Sequence, residues 1–129
     1  MTALTITRLI GVYDADGTLR GEVSYWVGAR LGRAHCSLCE VTHGLFAPRR
    51  DWKKCRDGLP VAFETYHRDD QPDRVRSVLG DELPAVLAET DEGMVILVGP
   101  DGLESCAGSV DLLVEAIEQA VERESLAWP

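Results

Sequence analysis

Two thiols three residues apart, Cys36 and Cys39, sit inside His35-Cys36-Ser37-Leu38-Cys39-Glu40-Val41-Thr42-His43. A C-x-x-C pair can close a reducible disulfide, or it can supply half of a tetrahedral metal site. In the redox reading, Cys36 stands at a helix N-terminus, where unpaired N–H groups and the helix dipole stabilise its thiolate. A protonated His35 or His43 nearby lowers its pKa further. Cys36 then attacks a partner disulfide and Cys39, one turn on, resolves the mixed disulfide. The metal reading uses the same sulfurs. Zinc takes four nitrogen or sulfur ligands, and Cys36 with Cys39 is a common first half. The other half must come from scattered residues: His43 and His67, or the lone Cys55 and Cys106. No second C-x-x-C or H-x-x-H is present. Copper(I), satisfied by two or three thiolates, needs fewer partners.

The bulk of the chain limits what such a site can serve. A length of 129 residues is enough for one domain with a true hydrophobic core, without disulfide or metal staples. The formal charge of −9 argues against nucleic acid and against an anionic membrane surface, both of which need a basic patch. The only lysines, Lys53 and Lys54, fall in the basic run from Arg49, which reads as a solvated helix face. The N-terminus lacks the basic and apolar regions of a signal peptide, and no apolar run approaches the roughly 20 residues that span a membrane. A cytoplasmic location is therefore expected, where a structural disulfide framework is not. For Cys55 and Cys106, taken singly, an inert buried thiol is the expectation.

Residues that carry chemistry need elements to hold them. Leu9-Ile10-Gly11-Val12-Tyr13 reads as a buried strand ended by the turn Asp14-Ala15-Asp16-Gly17. Leu19, Val23, Trp26, Val27 and Leu31 fall at helical spacing, although Val23, Tyr25 and Val27 also alternate as a strand would; the helix covers more positions. Cys36 to His43 is expected to be a short helix closed by Gly44. Pro48 suits the first turn of another, with Trp52 and Cys55 on one face and Gly58 as a left-handed stop. Pro60 to His67 reads as a strand, and Pro72 to Leu79 as a helix stopped by Gly80. Two apolar strands, Pro84–Glu89 and Met94–Gly99, flank the hairpin signal Thr90-Asp91-Glu92-Gly93. The last helix opens at Ser109 and lines up Val110, Leu113, Ile117, Ala120 and Val121.

The order β-α-(short helices)-β-α-β-β-α resembles the thioredoxin fold, an α/β sheet with helices on both faces. Leu83-Pro84 directly before a strand resembles the cis-proline of that superfamily, which lies beside the active site. The resemblance implies that residues 1–129 form a single thioredoxin-like domain. It implies thiol-disulfide exchange on a protein or small-molecule thiol or disulfide, carried by Cys36, Cys39, His35 and Pro84 with no cofactor. The chain departs from the family in one respect. Thioredoxins place C-x-x-C directly after the first strand, whereas here it is displaced beyond the first helix. The chain also looks like a group of short bacterial proteins that combine a Tyr-(Asn/Asp)-Ala-Asp start with C-x-Leu-C, for which no activity is implied.

A further resemblance concerns Asp14-Ala15-Asp16-Gly17-Thr18-Leu19, which is similar to the first motif of haloacid-dehalogenase-type phosphatases. That family would make Asp14 the nucleophile and Asp16 the general acid, with both helping to hold magnesium. Thr65 could end the next strand as that chemistry needs, and Gly80-Asp81-Glu82 offers acids, but no Gly-Asp-x-x-x-Asp completes the pattern. A D-x-D-G turn is the preferred account of these residues. Thiol redox therefore ranks first, zinc or copper binding second and magnesium phosphohydrolysis third.

Overall fold

The computed structural model describes residues 4–14, 38 and 50–129. The expected helix over Leu19–Leu31, the segment Cys36–His43 apart from Leu38, and the Pro48 turn lie outside the described residues. Leu38 itself is helical and fully buried.

The described elements run β1 (Leu4–Val12), α1 (Arg50–Asp57), β2 (Ala62–Tyr66), α2 (Asp73–Leu79), β3 (Ala85–Thr90), β4 (Gly93–Val98), α3 (Pro100–Ser105), α4 (Val110–Arg123) and β5 (Leu126–Ala127). They build a mixed five-stranded sheet. Its order is β2-β1-β3-β4, with β2 parallel to β1, β3 antiparallel to β1, and β4 antiparallel to β3. The two-residue β5 runs parallel to the start of β1, at Leu4 and Thr5, where β2 does not reach.

A central strand with a cover on each face must be apolar on both sides, and β1 is. Leu9, Ile10, Val12 and Tyr13 are all buried. Leu9 and Tyr13 join one core with Trp52 of α1, Phe63 of β2, Leu103 of α3 and the α4 stripe Val110, Leu113, Ile117, Ala120 and Val121. Ile10 and Val12 join a second core with Val75 and Leu79 of α2 and Ala85 and Leu87 of β3. Helices thus cover both faces of the sheet. A register shift between Ile6 and Arg8 lets Ile6 and Leu9, three apart, share the α4 face.

On the α2 face, register is marked by charge. Arg8 reaches Glu64 on β2 at 3.1 Å and Glu89 on β3 at 3.2 Å, and Arg74 of α2 meets the same Glu89 at 3.1 Å. All these groups are partly solvated, so each pair adds only about 0.2–1 kcal/mol, but a one-residue slip would break every one.

Local chemistry accounts for most of the boundaries. Ser109 Oγ accepts from Leu112 N at 3.2 Å and opens α4. Gly80 follows α2 at φ +58°, a conformation that suits a residue without Cβ. The β3–β4 turn holds Asp91 and Glu92 between paired Thr90 and Gly93, and Thr90 Oγ1 donates to Gly93 O at 2.8 Å. Gly58 corrects one expectation, because its backbone is not left-handed. Its N–H instead closes α1 on the carbonyls of Lys54 and Cys55 at 3.2 and 3.1 Å, a termination that needs no positive φ. Replacing Ser109 with Ala removes the side-chain cap of α4 and should lower stability by about 1 kcal/mol, read as a shift in the urea midpoint at unchanged m-value.

Candidate functional site

Cys36, Cys39, His35 and His43 lie outside the described residues, as does Asp16; Leu38, Pro84, His67, Asp14, Cys55 and Cys106 are described. Leu38 is the second of the two residues between the cysteines, and it is built into the α4-face core. Its seat is β1. A Cβ added to Gly11 would stand 3.2 Å from Leu38 Cδ2 and 3.0 Å from Phe63 Cε1, so both side chains close over the one position of β1 that lacks a side chain. Phe63 is held in turn by Trp52, edge to face at 4.8 Å between ring centroids. One of the two spacer residues of the C-x-x-C is therefore a core residue.

Gly11 belongs to the carboxyl-terminal half of β1, and the same end of the sheet carries Pro84. Val12 pairs with Ala85, the residue after Pro84, and the Leu83–Pro84 peptide is cis. Pro84 is buried. Tyr13 extends the parallel ladder, its N–H donating to Tyr66 O at 2.9 Å, and its ring lies 5.3 Å from that of His67. His67 follows β2, and its Nδ1 lies 3.3 Å from Asp70 Oδ2. Asp70 also accepts the His67 backbone N–H, so one carboxylate fixes both ring and turn. Leu38, Tyr13, His67 and Pro84 thus gather where β1 and β2 end and β3 begins.

The other candidates fall elsewhere or are already engaged. Asp14 ends β1, and its Oδ1 lies 3.3 Å from Arg68 Nη1. Thr65, aligned with Gly11, is exposed. No group of three or more His, Cys, Asp or Glu able to hold a metal ion occurs among the described residues. Cys106 is buried, and its Sγ donates to Gly102 O at 3.4 Å. Burial pushes its thiol pKa up. Cys55, half-buried on α1, faces an open groove of about 1110 Å³ between α1 and α4 that Trp52, Leu59, Val114 and Trp128 also line. Burial raises its pKa first, and the carboxylates of Asp111 and Asp51 add to the shift. Both shifts favour the protonated, weakly nucleophilic thiol over the thiolate.

Sequence reasoning treated Leu38 as a spacer and passed over Gly11. An apolar residue inside a C-x-x-C and a glycine inside a buried strand run were the available signals.

Gly11→Ala should push against Phe63 and Leu38 and cost about 1–3 kcal/mol, measured by denaturant unfolding. In a Cys36→Ser, Cys39→Ser background, alkylation of Cys55 by iodoacetamide should rise with pH to a midpoint above the ordinary cysteine value, and Asp111→Asn should move that midpoint down. For a thiol with a raised folded-state pKa, the associated stability is complete below the unfolded-state value and lost as pH climbs past it. Among the described residues no helix is long and apolar enough to cross a membrane. Comparison with protein-family models, with curated proteins and with solved structures found no match to this chain, so its function has to be argued from its own chemistry.

Proposed function

We propose that the protein is a small thiol-disulfide redox protein of thioredoxin-like fold that works through Cys36 and Cys39. The observation that carries the reading is the anchorage of Leu38. This residue, one of the two between the cysteines and next to Cys39, packs on Gly11, near the end of the sheet where Pro84 enters β3. A dithiol needs its two sulfurs held close in fixed geometry, and a spacer locked into a core is one way to supply that constraint. The strand order β2-β1-β3-β4 supports the fold assignment. So do the parallel β1–β2 pair, the closing β3–β4 hairpin and the helices on both faces. The position of Pro84 directly before β3 supports it as well.

The reaction is two successive displacements. The Cys36 thiolate attacks one sulfur of a partner disulfide, the partner S–S bond breaks, and the released partner thiolate takes a proton. The Cys39 thiolate then attacks Cys36 Sγ in the mixed disulfide, which frees the second partner thiol and leaves a Cys36–Cys39 disulfide. Two electrons pass to the partner. His35 would assist by favouring the Cys36 thiolate when protonated. The raised pKa values of Cys55 and Cys106 fit this division of labour, since thiols kept protonated do not compete for the mixed disulfide.

The reduced protein should cleave a small aromatic disulfide such as 5,5′-dithiobis(2-nitrobenzoate) with rapid release of two thiolate equivalents. Cys36→Ser should lose the fast phase, and Cys39→Ser should stop at a stable mixed disulfide detectable by intact mass. The alternative use of the same sulfurs, zinc or copper binding, predicts a stoichiometric metal in protein purified without chelator, lost in Cys39→Ser. Elemental analysis that finds bound metal, together with no Cys36–Cys39 disulfide under mild oxidation, would overturn the redox assignment.

A further inference from the structure

A second pocket, of about 460 Å³, opens off the end of the sheet where β1 and β2 finish. Asp14, Arg68, Gln71, Arg76 and Asp81 line it, and Leu83, the neighbour of Pro84, supplies an apolar wall. Its size falls within the ordinary range of small-molecule sites. Asp14 and Arg68 are paired with each other at 3.3 Å. Arg76 and Asp81 have no ion-pair partner among the described residues, so the lining presents one uncommitted cation and one uncommitted anion.

The deepest polar group is Gln71, only 6% exposed. Its Nε2 donates to Arg68 O at 3.1 Å, and Arg76 Nη2 donates to the same carbonyl at 3.4 Å. One backbone oxygen therefore sets the amide and the guanidinium side by side. Rotating the amide by half a turn would press its carbonyl against Arg68 O, so the donor orientation is fixed. Gln71 Oε1 is left buried with no hydrogen-bond partner among the described residues. Buried acceptors without partners are rare in folded proteins, and one at a pocket wall calls for an N–H or O–H donor.

We propose that this pocket binds a small zwitterion with the chemistry of a free α-amino acid, its carboxylate on Arg76 and its ammonium on Gln71 Oε1 and Asp81. A bare anion such as phosphate would meet Arg76 but would bring oxygen lone pairs to an unpaired acceptor. A divalent cation would gain Asp81 and Gln71 but would sit among two guanidinium groups. A zwitterion satisfies all three uncommitted groups at once, and the fork geometry of arginine suits a carboxylate.

Calorimetric titration of the full-length protein with each free L-amino acid, and with acetate, methylammonium and inorganic phosphate as separate probes, tests this. At least one amino acid should bind with 1:1 stoichiometry, and its N-acetyl and carboxamide derivatives should bind at least about tenfold more weakly. Arg76→Gln, on an exposed helix position, should weaken binding by a similar factor. Gln71→Met keeps the shape and removes both the unpartnered Oε1 and the Nε2 donor; Arg68 O retains its bond from Arg76, so binding should weaken while the melting temperature of the free protein changes little. Cys36→Ser should bind as tightly as wild type, so this result stands or falls apart from the redox assignment. Absence of binding by every amino acid would overturn the proposal. So would phosphate binding as tightly as the best amino acid, full affinity in both pocket variants, or a crystal structure in which a lone water fills the Gln71 Oε1 position at saturating amino acid.

Discussion

The burial of β1 on both faces is the constraint on which the rest of the molecule depends. Flanked by β2 and β3 and covered by α4 on one side and α2 on the other, its run Leu9-Ile10-Gly11-Val12-Tyr13 has no solvent-facing residue. Every neighbouring element takes its place from it. The register with Ala62–Tyr66 and with Ala85–Thr90 is fixed because a one-residue slip would exchange the two cores. The gap at Gly11 then becomes a specific seat, filled from β2 by Phe63 and from the C-x-x-C segment by Leu38.

That seat links scaffold to chemistry. The ends of β1 and β2 and the start of β3 bring Tyr13, His67, Pro84 and Leu38 to one end of the sheet, and the Gln71 pocket opens off the same end. The opposite end is occupied by structural devices. There β5 pairs with the start of β1, and the Thr90 hydroxyl ties the β3–β4 turn. Nearer the other end, at the level of Val86, Arg123 Nη2 donates from the close of α4 to Leu97 O on the edge strand at 3.2 Å. Around Gln71, by contrast, one buried acceptor, Oε1, has no hydrogen-bond partner among the described residues.

The acidic character of the chain has a local counterpart. Burial raises the pKa of Cys55, and the carboxylates of Asp111 and Asp51 add to the shift, so the groove between α1 and α4 is poorly suited to thiolate chemistry even though it is larger than the Gln71 pocket. Cavity size alone therefore does not mark a thiolate site here, because local electrostatics set the thiol's protonation.

Much of the framework was legible in the residues. The 3.6-residue stripe after Ser109, the turn-flanked apolar runs of β3 and β4, and Gly80 after the α2 pattern are local signals, decided by contacts within a few residues, and all three appear as read. Three features were missed. β1 begins at Leu4, before its apolar run; α3 follows Gly99 with Pro100 in its first turn; and β5 is two residues long. The first and last exist because they pair with each other across the whole chain, and no local pattern encodes such a partner.

What the sequence determined by itself was the C-x-x-C spacing and the periodicities of the main elements, because thiol spacing and hydrophobic period are properties of neighbouring residues. Only the tertiary structure decided that Leu38 is a core residue seated on Gly11, that burial raises the thiol pKa of Cys55 and Cys106, and that Gln71 carries a buried acceptor without a partner among the described residues. Each of those depends on what the fold brings within a few ångströms from distant parts of the chain, and distance in space is not written in order along it.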